Sequence, residues 1–205
     1  SLTMHEVGHT LGLRHNFKSS WIYDAKEVHD VSITGDNHIG SVMDYDPINL
    51  APEGVTQGNY FPSGPGSYDM WAIEFGYTPS LSDEERENLL SKSSEPEYIF
   101  GTDGDAMSSP GVNIDPRNLR GDMSNDPITY TSDRIKTLDA KIAELPDIYL
   151  VDGKTSTEFR SVFYSLTSEK GRFLDNVSRL IGGVYSNRVV NDSNKDITPF
   201  EAVSY

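Results

Sequence analysis

Three histidines stand close enough in the sequence to act on one metal ion. The segment His5-Glu6-Val7-Gly8-His9-Thr10-Leu11-Gly12-Leu13-Arg14-His15 has the form H-E-x-x-H-x-x-G-x-x-H. His5 and His9 are four residues apart, so on a helix both imidazoles project from one face. His15 lies six residues past His9, about 600° of helical rotation, and a continuing helix would point it elsewhere. The chain must therefore turn sharply between them. Gly12 is the residue able to enter a left-handed conformation there without a Cβ penalty. Three neutral imidazoles leave the fourth position of a zinc ion open for water, the pattern of a catalytic site rather than a structural one. Glu6, adjacent to a ligand but not itself one, is expected to take the proton of that water. Chance alone would produce all of these positions together in about one chain in ten thousand, at about 1/20 per position.

Composition sharpens this expectation. All five histidines lie within residues 5–38, and there is no cysteine. Thiolate zinc sites, disulfide scaffolds and Cys nucleophiles are therefore excluded. With 32 acidic residues against 17 basic ones, a net charge of −15, the chain lacks the clustered Lys and Arg of a nucleic-acid-binding face. At 36% hydrophobic and 24% charged its composition is that of an ordinary globular domain. No stretch approaches the roughly 18–20 apolar residues of a membrane span.

The elements that must position the histidines can be read coarsely. Residues 1–12 read as a helix stopped by Gly12, with Leu2, Val7 and Leu11 available for burial. Residues 16–65 are rich in Gly, Pro, Asn and Asp and read as loop and turn; a loop this long in a compact domain is functional or metal-pinned. Residues 67–77 read as a short helix stopped at Gly76. Ser82 with Glu85 forms a capping box opening a charged helix to about Lys92. After a Gly/Pro/Asp-rich stretch at 101–129, Ile135, Leu138, Ile142 and Leu145 give helical spacing from Ser132, closed by Pro146. Residues 155–181 read as a long helix or a pair broken near Gly171, ended by Gly182-Gly183, and Val184 to Val190 as a short strand. The expected architecture is mainly α with long ordered loops.

The histidine motif resembles that of the metzincins, zinc endopeptidases whose chain later passes beneath the metal in a Met-turn. Met43 stands 28 residues past His15, within Ser41-Val42-Met43-Asp44-Tyr45, which resembles the S-x-M-x-Y turn of the astacin and serralysin branches. The resemblance implies that Met43 forms a hydrophobic floor under the three imidazoles. It also implies that Tyr45 can ligate zinc and swing away to stabilise the transition state. Asp69-x-x-Ala72-Ile73-x-x-x-Tyr77 resembles the closing helix of such domains, whose role is structural. More widely, the chain resembles the Met-zincin domain of large bacterial proteins regarded as extracytoplasmic metalloproteases. The stretches that carry this likeness include Gly58-Asn59-Tyr60-Phe61, Asp115-Pro116-Arg117, Asp126-Pro127 and Leu180-Ile181-Gly182-Gly183-Val184-Tyr185. The residue after the third histidine marks the metzincin branch. Here it is Asn16 rather than the familiar Glu, Pro, Asp or Ser, which leaves the branch open.

Metzincin catalytic domains carry a sheet and a helix before the histidine motif, and an edge strand there binds substrate by strand addition. Only four residues precede His5. The expectation is therefore the C-terminal half of such a domain plus a helical extension. Residues 1–77 would hold the active-site helix, Met-turn and closing helix, and residues 78–205 an α-rich extension packed on it. The expected activity is zinc-dependent peptide hydrolysis, incomplete without an N-terminal subdomain as partner, in an extracytoplasmic setting. Two alternatives stay open: a degenerate binding module with a structural zinc, and a zinc hydrolase of a non-peptide acyl substrate.

Other residues were weighed for chemistry. His38, five residues before Met43, could reach the cleft rim, although a surface position is the expectation for it, as for His29. Asp103-Gly104-Asp105 with Asp115, Asp122 and Asp126 could wrap a calcium ion, but they lack the spacing of an EF-hand loop and are expected as solvated loop acids. Nothing selects Arg14 or Arg117 for function. Asn176-Val177-Ser178 and Asn191-Asp192-Ser193 fit the glycosylation pattern.

Overall fold

The computed structural model describes residues 2–106, 114–188 and 198–204. The expected strand residues Val189 and Val190 and the pattern at Asn191 lie outside them. Six α-helices are described: α1 (Leu2–Thr10), the single turn α2 (Val31–Thr34), α3 (Ser67–Tyr77), α4 (Asp83–Ser91), α5 (Pro127–Tyr149) and α6 (Ser156–Ser178). Strands β1 (Val184–Ser186) and β2 (Phe200–Ala202) pair antiparallel, Tyr185 opposite Glu201. No described helix is long and apolar enough to cross a membrane.

Helices α5 and α6 form an antiparallel hairpin whose apolar stripes meet. The hydrophobic core is built where this hairpin meets the long loop: Val28 and Ile39 from the loop, Met123, then Tyr130 of α5 and Phe173 of α6. Burying Val28 and Ile39 is what orders a segment with so little regular structure, since apolar burial offsets the entropy of fixing it.

Several elements differ from their sequence reading. Helix α5 begins at Pro127, five residues before Ser132, because the Asp126 side chain accepts a hydrogen bond from the Thr129 N–H at 3.1 Å and Pro127 fits the first turn. It also runs through Pro146, which sits on the exposed face, and the Leu150 N–H closes on the Pro146 carbonyl. Of the two readings open for residues 155–181, the single long helix is the one formed: α6 continues unbroken through Gly171, where packing against α5 outweighs the roughly 1 kcal/mol helix penalty of glycine. Helix α3 likewise passes Gly76 to end at Tyr77.

In α1 the expected apolar face is exposed: Leu2 is 72%, Val7 50% and Leu11 40% accessible. The face that packs inward carries His5 and Gly8 instead. His29 and His38 are not at the surface either. Both are buried: His38 lies 3.4 Å from the Asp46 carboxylate, and His29 is stacked on Tyr130.

Candidate metal centre

Helix α1 ends in a left-handed cap. Gly12 has φ +88°, the Leu13 N–H returns to the Gly8 carbonyl, and the Gly12 N–H returns to that of His9. This paired closure is the Schellman arrangement, and only glycine enters it without strain. The cap lets the chain reverse, and Leu13 offers its carbonyl to His9 Nδ1 at 3.0 Å. The Tyr77 hydroxyl donates to the Leu11 carbonyl at 2.9 Å, so the end of α3 holds the end of α1.

The other two imidazoles are fixed from farther away. His5 Nδ1 donates to the Val42 carbonyl at 2.8 Å. His15 Nδ1 donates to Asp103 Oδ2 at 2.8 Å. A carbonyl or carboxylate can only accept, so in each ring the proton belongs on Nδ1 and the Nε2 lone pair is left for another partner. Burial pushes Asp103 upward, but the hydrogen bond from His15, with the Arg120 guanidinium, outweighs it and holds its carboxyl below the usual range. Asp103 is therefore an anionic acceptor that fixes the orientation and tautomer of the His15 ring.

Asn16 brings residues 99–103 to this position. It is fully buried. Its Nδ2 donates to the Ile99 carbonyl at 3.0 Å, its Oδ1 accepts from the Gly101 N–H at 3.1 Å, and its own N–H donates to the Met43 carbonyl. The residue following the third histidine thus ties the metal centre to both of the loops that frame it.

Met43 is fully buried. It packs so closely on α1 that a Cβ at Gly8 would overlap the Met43 sulfur. Asp69, buried at the start of α3, holds the turn in shape: it accepts from the Ser41 hydroxyl at 2.5 Å, the Val42 N–H at 2.8 Å and the Gly66 N–H at 2.9 Å. Because Val42 also serves His5, Asp69 acts on the His5 ring through one intervening residue. Tyr45 stacks on His5, is 44% exposed, and its hydroxyl lies 2.9 Å from His15 Nε2. With the His15 proton on Nδ1, that hydroxyl is the donor.

One ring nitrogen from each of His5, His9 and His15 lies within 4.8 Å of the others, and among the described residues this is the group with metal-holding spacing. Three neutral nitrogen donors with every Nδ1 engaged suit zinc, a borderline-soft ion that prefers imidazole. The residues fit the ion. Glu6 is exposed on the turn of α1 that carries His5, with no hydrogen bond to the described residues.

The acids considered for calcium are not brought together. Asp103 serves His15 and Arg120, Asp105 pairs with Arg188, Asp115 with Lys18 and Arg117, and Asp126 caps α5. Asp122 accepts from the Ser20 hydroxyl and the Trp21 indole, and burial pushes it up to about 7. Asp44 beside it is raised well above the carboxylate range by burial and by the Asp122 charge. Far from being solvated, Asp115 and Asp122 are buried.

The sequence reading missed Gly8, Asn16 as a structural pin, Asp103 in its present role, and Arg120. Arg120 bonds Asp103 Oδ1 at 3.0 Å and lies over the rings of Phe17 and Tyr45. The Asp103-Gly104-Asp105 turn was a visible signal, but its acids were expected to be solvated rather than turned toward a histidine. In comparison with known families, a family model described as Met-zincin matches residues 1–205. No curated protein and no solved structure matches this chain.

Proposed function

The chain belongs to the Met-zincin family, which gives it a zinc-binding, metalloprotease-like character, and we propose more narrowly that it is a zinc endopeptidase. The observation that carries the proposal is the convergence of the three imidazoles within 4.8 Å, each with its Nδ1 engaged by a fixed acceptor. Zinc, when bound, supplies a Lewis acid that lowers the pKa of water and polarises a carbonyl oxygen.

The chain's own groups do the rest. Glu6, free of other partners and next to His5, takes the proton of the attacking water and passes it to the departing amine. Tyr45 leaves His15 Nε2 and turns its hydroxyl toward the carbonyl oxygen as negative charge develops there. Its exposure supports such a movement. Met43 and Gly8 keep the floor under the imidazoles dry and close-packed. Residues 78–205 contribute Asp103 and Arg120 to this centre, which supports treating the extension as part of the catalytic unit. The extracytoplasmic setting belongs to the same proposal.

Digestion of a peptide library by the full-length, zinc-loaded protein tests the reading. Internal cleavage supports it. Zinc bound at one per chain with no peptide cleaved overturns it, in favour of a binding module or a hydrolase of other acyl groups.

A further inference from the structure

A cavity of about 390 Å³ opens beside Tyr45, a size within the range of ligand pockets. Its walls come from three parts of the chain: the segment following Tyr45, the Arg120-Gly121 turn, and α6 through Glu169 and Arg172. The Gly121 N–H donates to the Tyr45 carbonyl at 2.9 Å, which fixes the turn to the catalytic tyrosine. Arg172 lies against Gly121, its Cδ and Nε 3.2 Å from where a Cβ would stand there.

In a chain that carries −15 overall, this cavity brings two guanidinium groups, Arg120 and Arg172, into one lining. Two carboxylates line it as well: Glu169 is engaged with the buried Arg134, while Asp46 Oδ2 lies 3.4 Å from His38 Nε2 and is buried without a hydrogen bond. Arg120 is half-exposed and shares its charge with Asp103. Arg172 is exposed and, among the described residues, has no carboxylate partner. An exposed guanidinium fork held beside a second one suits a carboxylate, which both can bind with charge-assisted hydrogen bonds.

We propose that this cavity is a specificity pocket of the same site, taking a carboxylate of the peptide substrate, with Arg172 as its principal recognition residue and Arg120 beside it. The proposal rests on the peptidase reading above. Two sources carry this chemistry, an acidic side chain near the bond to be cleaved and the free end of a peptide chain. A surface with fifteen excess negative charges repels acidic peptides at long range, so their preference must arise from local contacts.

The test measures binding rather than turnover. The full-length Glu6→Gln protein, loaded with zinc, is titrated with short labelled peptides carrying one Glu or one Gln at each position in turn, with free or amidated ends. Tighter binding of Glu than Gln at one position, by about tenfold for one charge-assisted bond, assigns the pocket to a side chain. Tighter binding of the free acid than of the amide assigns it to a chain end. In either case Arg172→Gln abolishes the difference while zinc content is retained, and Arg172→Glu turns the preference toward Lys. Equal affinities, or a preference that survives Arg172→Gln, overturn the proposal. Cleavage assays with the wild-type protein separate the two readings. Acid-selective binding without cleavage removes the peptidase and keeps the pocket, whereas cleavage without acid preference does the reverse.

Discussion

Asp103 Oδ2 accepts a hydrogen bond from His15 Nδ1 at 2.8 Å, across 88 residues of sequence. This pair links the two halves of the chain at the histidine cluster. Removing such an acceptor from a zinc-bound histidine lowers metal affinity about 10–100-fold. Asp103→Ala is expected to weaken zinc binding by that amount, measured by competition with a chelator, and Asp103→Asn by less. Unchanged affinity in Asp103→Ala would remove Asp103 from the centre.

Gly8→Ala tests the contact between α1 and the Met-turn. Alanine is the better helix former by up to about 1 kcal/mol, so a helix packed loosely would be stabilised. Here the added methyl meets the Met43 sulfur. Overpacking of this kind costs about 1–3 kcal/mol, and denaturant unfolding should show a net loss. A gain in stability contradicts the close packing.

Asp69 serves the Met-turn through three donors, Ser41, Val42 and Gly66. An amide oxygen cannot replace both carboxylate oxygens. Asp69→Asn is expected to lose about 1.5–3 kcal/mol, the range for hydrogen bonds to a charged group, and to weaken zinc binding because Val42 also holds His5. If stability falls while zinc affinity stays constant, the connection through Val42 is absent.

Burial pushes the Asp122 carboxyl up from its ordinary value of 3.8 to about 7. Between those values the folded protein holds a proton that the unfolded chain has released, so this group's contribution to stability is greatest in acid and declines as pH rises. Other groups act in the opposite sense: Asp115, with burial outweighed by Arg117 and Lys18, is held low, and His29 is lowered by burial. The comparison with Asp122→Asn reads the Asp122–Asp44 pair, since the same change removes the charge that helps to raise Asp44. Wild-type protein should lose more thermal stability than the variant between about pH 5 and pH 7.5. Parallel profiles for the two proteins contradict it.

What the sequence could disclose depended on distance along the chain. The helix, the glycine-capped reversal and the spacing of His5, His9 and His15 involve residues within eleven positions of one another, where backbone geometry alone relates them. The ends of α5 were misplaced because Pro146 was read by local propensity, which packing of the hairpin overrides; the same packing decides for one long α6 where Gly171 had left a helix pair equally open. The exposed Leu2, Val7 and Leu11 show a similar limit: apolar character named a face of α1, but the inward face is the one whose small residue, Gly8, admits Met43. Asp103 was noticed for its turn and acids, yet its bond to His15 exists only once Asn16 draws residues 99–103 inward. Burial of His29 and His38 likewise depends on Asp46 and Tyr130, which no local pattern connects to them.

The most direct test of the account pairs the wild-type full-length protein with Glu6→Gln, measuring zinc content and hydrolysis of a cleavable peptide together. Both proteins should hold one zinc per chain, since Glu6 is not a ligand, and Glu6→Gln should lose about 10²–10⁴-fold in kcat, the range supplied by a positioned general base. A Glu6→Gln protein that keeps its zinc and cleaves as fast as wild type would contradict it.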